Sequence, residues 1–217
     1  MEVKNITEHF NEEAQKHDNN FINNMGLGEF YDEIERQINK CSVKDNILVL
    51  GCGTGLEIER IKFKANVVAV DISGNMIEEL KKKEIYHGIS LKTVCASFLD
   101  MDFGNEFYDI VLSCYAMHHF TEAQKILLYK KIYNCLSKDG EFINGDVMEN
   151  TREAENFRFK EAENIYKDKN LSFGSLHIDI PFCFEHELQV LKTAGFENIT
   201  IEREWDKTKL YRASKSK

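Results

Sequence analysis

The sequence predicts an α/β fold built on one mostly parallel sheet, and three observations carry that prediction. Residues 47–50, Ile-Leu-Val-Leu, form a short apolar run that ends in glycines at alternate positions, Gly51, Gly53 and Gly55. From there to residue 147, strand-like and helix-like segments alternate, which calls for parallel strands joined by right-handed crossovers. The chain closes on two strand-like segments, 198–205 and 208–213, joined by a short polar link at Asp206-Lys207. That spacing predicts an antiparallel hairpin.

Residues 1–45 read as a helical cap, because Phe10, Ala14, Phe21 and Ile22, then Phe30, Tyr31, Ile34 and Ile38, recur at roughly helical spacing. The core spans 46–217. Its strands are expected near 47–50, 67–71, 89–95, 109–114 and 140–146, followed by the closing hairpin. Helices are expected near 55–63, 74–84, 121–136 and 184–194. A lid-like insertion at 147–182 interrupts the pattern. Its first half, Thr151 to Asp168, reads as a charged helix, and its second half is apolar and aromatic. The single proline, Pro181, falls just before the final helix. Neither repeats nor low-complexity linkers break the chain.

Glycine turns at the carboxyl end of a first parallel strand receive nucleotide-like ligands, because without a Cβ the backbone can approach them closely. The pattern here is G-x-G-x-G, with Leu56 where a dinucleotide fingerprint needs its third glycine, and no Gly-Lys-Ser/Thr follows to make a phosphate loop. The second strand, Val67-Val68-Ala69-Val70, runs directly into Asp71. An acid at that place can accept both hydroxyls of a ribose. Adenosine without a pyrophosphate is the economical reading. Ser73 is the better N-cap for the next helix, which leaves Asp71 free for the ligand.

At these residues the chain resembles the class I S-adenosylmethionine-dependent methyltransferases. The resemblance rests on VLGCGTG at 49–55, VDISGNM at 70–76, YDIVLSCYAMHHF at 108–120 and LSKDGEFINGD at 136–146, four blocks in family order and spacing. It extends more faintly to HFNEEAQKHDNN at 9–20 and LKTAGFENITI at 191–201. It implies a Rossmann-like, seven-stranded, mostly parallel sheet with helices on both faces, the last strand antiparallel, and S-adenosyl-L-methionine as cofactor. The backbone from Gly51 through Cys52, Gly53 and Thr54 to Gly55 would meet the methionine portion, aided by the amide dipoles of the next helix. Asp71 would hold the ribose, with Ile72 and Met76 against adenine and Ser97-Phe98 at the adenine edge. Ser113 and Cys114 would line the methionine side, and His17 would close over its carboxylate. Two positions depart from the family pattern. Val49 stands where an acid normally precedes the first glycine, and Ser97 stands for the adenine-edge acid, with Asp100 and Asp102 close behind it.

Composition agrees with a single domain plus a cap: 217 residues with 42% apolar content can bury one substantial core. No signal-peptide core follows Met1, and no apolar run reaches the roughly 18 residues a membrane helix needs. A cytoplasmic protein without a membrane partner, monomeric or homodimeric, is expected. Six cysteines, at 41, 52, 95, 114, 135 and 183, show no C-x-x-C spacing, so reduced thiols are expected rather than a zinc site or disulfides. The net charge of −9 does not advertise the basic face of a nucleic-acid binder, although Lys207, Lys209, Lys215 and Lys217 gather near the carboxyl end.

Methyl transfer from a sulfonium is an in-line displacement that depends on alignment in a dry pocket and requires no metal. A high-pKa acceptor also needs a base, and Tyr115, His118 and His119 follow the fourth strand at the ligand edge of the sheet. Those two histidines can equally be packing groups at a helix start. His177, Asp179 and His186 form a second polar group, read as surface or pocket lining, with Glu185 as a helix cap; no metal is expected. Three readings remain open. The first is a methyltransferase acting on an O, N or S atom of a small molecule, with the insertion shaping the acceptor pocket. The second modifies RNA, as tRNA wobble-uridine enzymes of similar fold do. The third is a non-catalytic binder of the cofactor.

Overall fold

The computed structural model describes residues 4–171 and 176–215. Seven strands form one sheet in the order β3-β2-β1-β4-β5-β7-β6. They are β1 (Asn46–Leu50), β2 (Ala65–Asp71), β3 (Ile89–Cys95), β4 (Tyr108–Cys114), β5 (Leu136–Val147), β6 (Asn198–Glu204) and β7 (Thr208–Ser214). The first five run parallel, while β7 is antiparallel to both of its neighbours, β5 and β6. The expected mostly parallel sheet with one reversed strand is therefore the observed one.

The helices are α1 (Ile6–Glu13), α2 (His17–Asn19), α3 (Gly28–Lys40), α4 (Gly74–Lys81), α5 (Glu122–Cys135), α6 (Arg152–Asp168) and α7 (Phe184–Ala194). Their ends follow local chemistry. Ser73 caps α4 by accepting from the Met76 amide, Thr121 and Gln124 form a capping box on α5, and Thr151 caps α6. At α7 the cap position is Cys183, without a side-chain bond; Glu185 sits in the first turn, where its charge suits the helix dipole rather than capping it.

The helix expected at 55–63 is absent. Only one 3-10 turn, Ile58–Arg60, stands between the glycine turn and β2. Nine residues, 56–64, must run back along a five-residue strand and still connect. At about 1.5 Å per residue, an α-helix of that length covers too little ground. One tight turn followed by extended chain covers it instead. The face left thin is covered by α3, whose Phe30, Ile34 and Ile38 pack with Ile47, Val49, Ile58 and Ile61. On the other face, α5 and α7 build the second core with Leu48, Leu50, Val111 and Phe142 from the sheet. Lys217, the last of the carboxyl-terminal lysines, lies outside the described residues, and none of the described helices is long and apolar enough to cross a membrane.

A buried ionic knot ties α5, α7 and β7 together. Glu187 is fully buried; its Oε2 accepts from Lys125 Nζ at 2.7 Å, and its Oε1 accepts from the hydroxyls of Tyr211, at 2.8 Å, and Tyr129. Removing one partner of such a group strands a charge without water. Lys125→Met is expected to destabilise the fold by about 3–5 kcal/mol in urea denaturation.

Candidate functional site

The glycine turn is held in place by its neighbours on both sides. Gly51 and Cys52 donate their amides to the Val70 carbonyl, at 2.9 and 3.0 Å. Asp71, at the end of β2, accepts from the Gly53 amide through Oδ2 and from the Ser73 amide through Oδ1, each at 2.8 Å. Gly51 sits at φ +70°, and a Cβ there would come within 2.6 Å of Ala116 Cβ, so only glycine fits. Burial pushes the Asp71 carboxyl upward, and the Ser73 and Gly53 amides oppose that. Each of its oxygens retains a lone pair for a ligand hydroxyl.

Above this turn lies a cavity of about 180 Å³. Gly51, Cys52, Gly53, Asp71 and Ile72 form its floor, and Met76, Ser97 and Phe98 one side. Cys114, Tyr115, His119 and Phe120 line it as well, the Phe120 ring 5.3 Å from that of Phe98. Ile6, Phe10, His17 and Phe21 complete the wall from the amino-terminal helices. A π turn over Asn20–Asn24 brings Phe21 edge-on to Tyr115, with ring centroids 5.6 Å apart, and stacks it on His17 at 4.2 Å. Tyr115 itself has φ +52°, a left-handed conformation that costs a non-glycine residue about 1–3 kcal/mol and gathers at functional sites.

Four residues expected at the site do not reach the cavity wall. Ser113 is fully buried, and its hydroxyl donates to the Leu50 carbonyl at 3.0 Å, stitching β4 to β1. Thr54 turns toward Asp18 and His17, with its oxygen 3.1 Å from His17 Nδ1. Gly55 leaves room for Leu80 rather than for a ligand. His118 stands behind His119. Asp102 accepts from the Gly104 amide at 2.9 Å, and neither it nor Asp100 replaces an acid at Ser97. Conversely, Glu57 lines the cavity unannounced. It is 3% exposed, its Oε1 has no hydrogen-bond partner, and burial pushes its pKa to about 8. A carboxylate placed two residues past the last glycine, among apolar residues, was the available signal.

The residues after β4 meet the segment that follows the insertion helix. His118 Nδ1 lies 2.5 Å from Asp146 Oδ1, and its amide donates to Asp146 Oδ2 at 2.9 Å. Burial alone would lower its pKa, but the Asp146 carboxylate outweighs burial and pushes it up to about 10. Burial and the neighbouring His118 push His119 down to about 4, and burial pushes Tyr115 up to about 12. At neutral pH His118 is thus the charged member of the three, and His119 and Tyr115 are neutral. Asp179 faces His118, His119 and His177, whereas His186 belongs elsewhere, with its Nδ1 2.6 Å from Glu155 Oε1.

Residues 47–140 match a family model described as a methyltransferase domain. Over that span the chain is similar to methyltransferases, and its fold is that of solved S-adenosylmethionine-dependent methyltransferases. Among curated proteins it is 25% identical over 183 residues to a carboxy-S-adenosyl-L-methionine synthase of Nautilia profundicola, covering 77% of this chain and 76% of that one. It is 33% identical over 132 residues to an uncharacterised methyltransferase of Oceanobacillus iheyensis, covering 58% and 57%. Among solved structures, a complex of DhpI with SAH superposes with a TM-score of 0.72 over 96% of this chain and 94% of the other, at 13% identity.

S-adenosyl-L-methionine, the cofactor of solved structures that share this fold, carries an ammonium and a sulfonium. The cavity fits such a cation: it holds a buried carboxyl group with one oxygen unpartnered, and no lysine or arginine lines it among the described residues. Glu57 keeps its proton up to about 8 in the folded protein against an ordinary 4.5. The stability this confers is complete below 4.5 and is lost as pH rises toward 8. In the cofactor-free protein, Glu57→Gln is expected to remove that slope, so that melting temperature against pH is flatter than in the parent between those values.

Proposed function

We propose that the methyltransferase acts on a small molecule with an apolar or aromatic body, presenting its O, N or S atom at the corner formed by His119 and Tyr115. One observation carries this reading: the cavity above the glycine turn is bounded by Ile6, Phe10, Phe21, Leu99 and Phe120, and no lysine or arginine lines it among the described residues. Residues 1–45 act as a cap and 147–182 as a lid. Six unpaired cysteines support a reducing, cytoplasmic setting.

When bound, S-adenosylmethionine supplies an electrophilic methyl group on its sulfonium. The chain's residues do the rest by placement. Asp71 takes the ribose hydroxyls; Ile72, Met76 and Phe98 pack on adenine, with Ser97 at its edge. Gly51 to Gly53 admit the methionine portion, and Cys114 lines it. Glu57 faces the cationic end and compensates for the acid missing at Val49. Thr54, Gly55 and Ser113 hold this frame from behind, and His17 closes over it. Phe10 and Phe21 exclude water, which favours a displacement whose charge is dispersed in the transition state. Proton handling for the acceptor falls to the corner of Tyr115, His118 and His119.

The distribution of charge favours a small molecule over RNA. Lys209 pairs with Glu204, Arg212 with Glu141, and Lys215 donates to the Leu136 carbonyl, so these cations are engaged away from the cavity. A carboxylated cofactor, of the kind named for the Nautilia relative, would call for a cation in the wall, and the described lining has none.

Calorimetry with S-adenosylhomocysteine should show binding. Asp71→Asn should weaken it by about 1.5–3 kcal/mol, the range for hydrogen bonds to a charged group, and unchanged affinity in a folded variant would refute the ribose assignment. His119→Ala should lower kcat on a responsive phenol, amine or thiol by roughly 100-fold or more while leaving cofactor affinity intact. Turnover of RNA transcripts with none of the small acceptors would overturn the substrate class.

A further inference from the structure

The corner behind His119 brings together four metal-competent atoms from two distant stretches of chain. His118 Nε2 lies 3.5 Å from Asp179 Oδ1, His119 Nδ1 lies 3.3 Å from it, and His177 Nε2 lies 3.8 Å from it. The donor atoms of His118, His119 and Asp179 all fall within 4.8 Å of one another. We propose that His118 Nε2, His119 Nδ1 and Asp179 Oδ1 form a binding site for a divalent first-row transition metal ion of the zinc type, with His177 beside it.

The spacing argues for an ion rather than for a hydrogen-bonded network. Hydrogen bonds between such groups run at about 2.7–3.2 Å, and all three separations exceed that. Four ligands around zinc, with bonds of about 2.0–2.2 Å, stand about 3.3–3.6 Å apart along the edges of the tetrahedron. The separations of His118 and His119 from Asp179 fall in that range, whereas His177 stands outside the group of three.

Two further observations point to a missing occupant. His119 Nδ1 is buried without a hydrogen-bond partner; the side chain is 7% exposed, and the nitrogen points at Asp179. A buried polar atom left unpaired costs about 1–3 kcal/mol, so natural proteins give it a partner. His118 is already arranged as a ligand. Asp146 grips its Nδ1 at 2.5 Å, the outer-shell carboxylate that orients a ligating imidazole and directs its other nitrogen to the ion. Imidazole nitrogens with one carboxylate suit zinc, cobalt, nickel or iron better than calcium or magnesium. The ion takes the place of the proton on His118 Nε2.

Access and consequence follow from position. The Asp179 side chain is 56% exposed, so an ion reaches the site from solvent. His177 is anchored independently, its ring stacked on His9 at 3.8 Å and its amide donating to the Lys4 carbonyl at 2.9 Å. A bound ion therefore cross-links the turn after β4 to the segment leaving the insertion. Since His119 also lines the cavity, the ion borders the acceptor's space. That placement rests on the functional reading above; the binding of the ion does not.

The test uses the full chain, stripped of metal by a chelator, and Co²⁺ as a spectroscopic probe. The expected result is one Co²⁺ per chain with the intense visible bands of a four-coordinate site, displaced by Zn²⁺. Asp179→Ala and His119→Gln should each weaken Co²⁺ binding by tenfold or more, and Asp146→Asn by roughly 10–100-fold through the outer shell. His87→Gln, at an exposed histidine elsewhere, should leave binding unchanged. Retained S-adenosylhomocysteine binding shows that each variant is folded. Absence of Co²⁺ binding in a parent chain that binds S-adenosylhomocysteine would overturn the metal site alone. Co²⁺ binding unaffected by Asp179→Ala would overturn it too, whereas a chain that binds Co²⁺ but not S-adenosylhomocysteine would sustain the metal site and sink the cofactor assignment.

Discussion

Everything at the ligand edge of the sheet depends on the two amides that Asp71 accepts. One belongs to Gly53 in the turn after β1, the other to Ser73 at the start of α4, so a single carboxylate sets the distance between them. Ser73 passes the constraint on, because its hydroxyl both caps α4 and donates to Asn11 at 2.7 Å, which seats α1. The carboxylate has little solvent around it and is held by amides at fixed positions. Such a group is preorganised, and a ligand hydroxyl added to it meets oxygens that need no rearrangement.

The sheet divides its labour by direction. Parallel strands β1, β2 and β4 all end on the same edge, which places Gly51, Asp71 and Tyr115 side by side. The reversed β7 delivers Thr208 to that edge as well, and its hydroxyl lies 3.0 Å from the Tyr115 hydroxyl. That contact accompanies the left-handed backbone of Tyr115, whose amide is also held by the Gly145 carbonyl at 2.8 Å. The strain is thus supported from two neighbouring strands.

What could be read in the sequence was whatever local chemistry decides. The glycine turn and the Ser73 cap involve residues within a few positions of one another and stand as expected, whereas the cap expected of Glu185 does not form. Ser113 could not be placed this way. Whether a residue at a strand end faces a cavity or a neighbouring strand depends on register, and here Ser113 pairs with Leu50 of β1. Glu57 was hidden by the helix expected around it, which the short crossover does not allow. His177, Asp179 and His186 looked like one group because they are close in sequence. The start of α7 turns His186 to Glu155, while Asp179 joins two histidines sixty residues earlier. Nothing in spacing announces such a meeting.

Helix α1 has no buried residue, yet its Phe10 forms part of the cavity wall. It is made first during synthesis, but the surfaces it rests on, Ser73, His119 and His177, are supplied much later. Such a segment closes long loops for few contacts, so the entropy of closure nearly offsets what docking returns. Its closed population is therefore sensitive to anything that fills the space beneath it. Hydrogen exchange in residues 6–24 would then report occupancy of a cavity whose floor lies elsewhere in the chain.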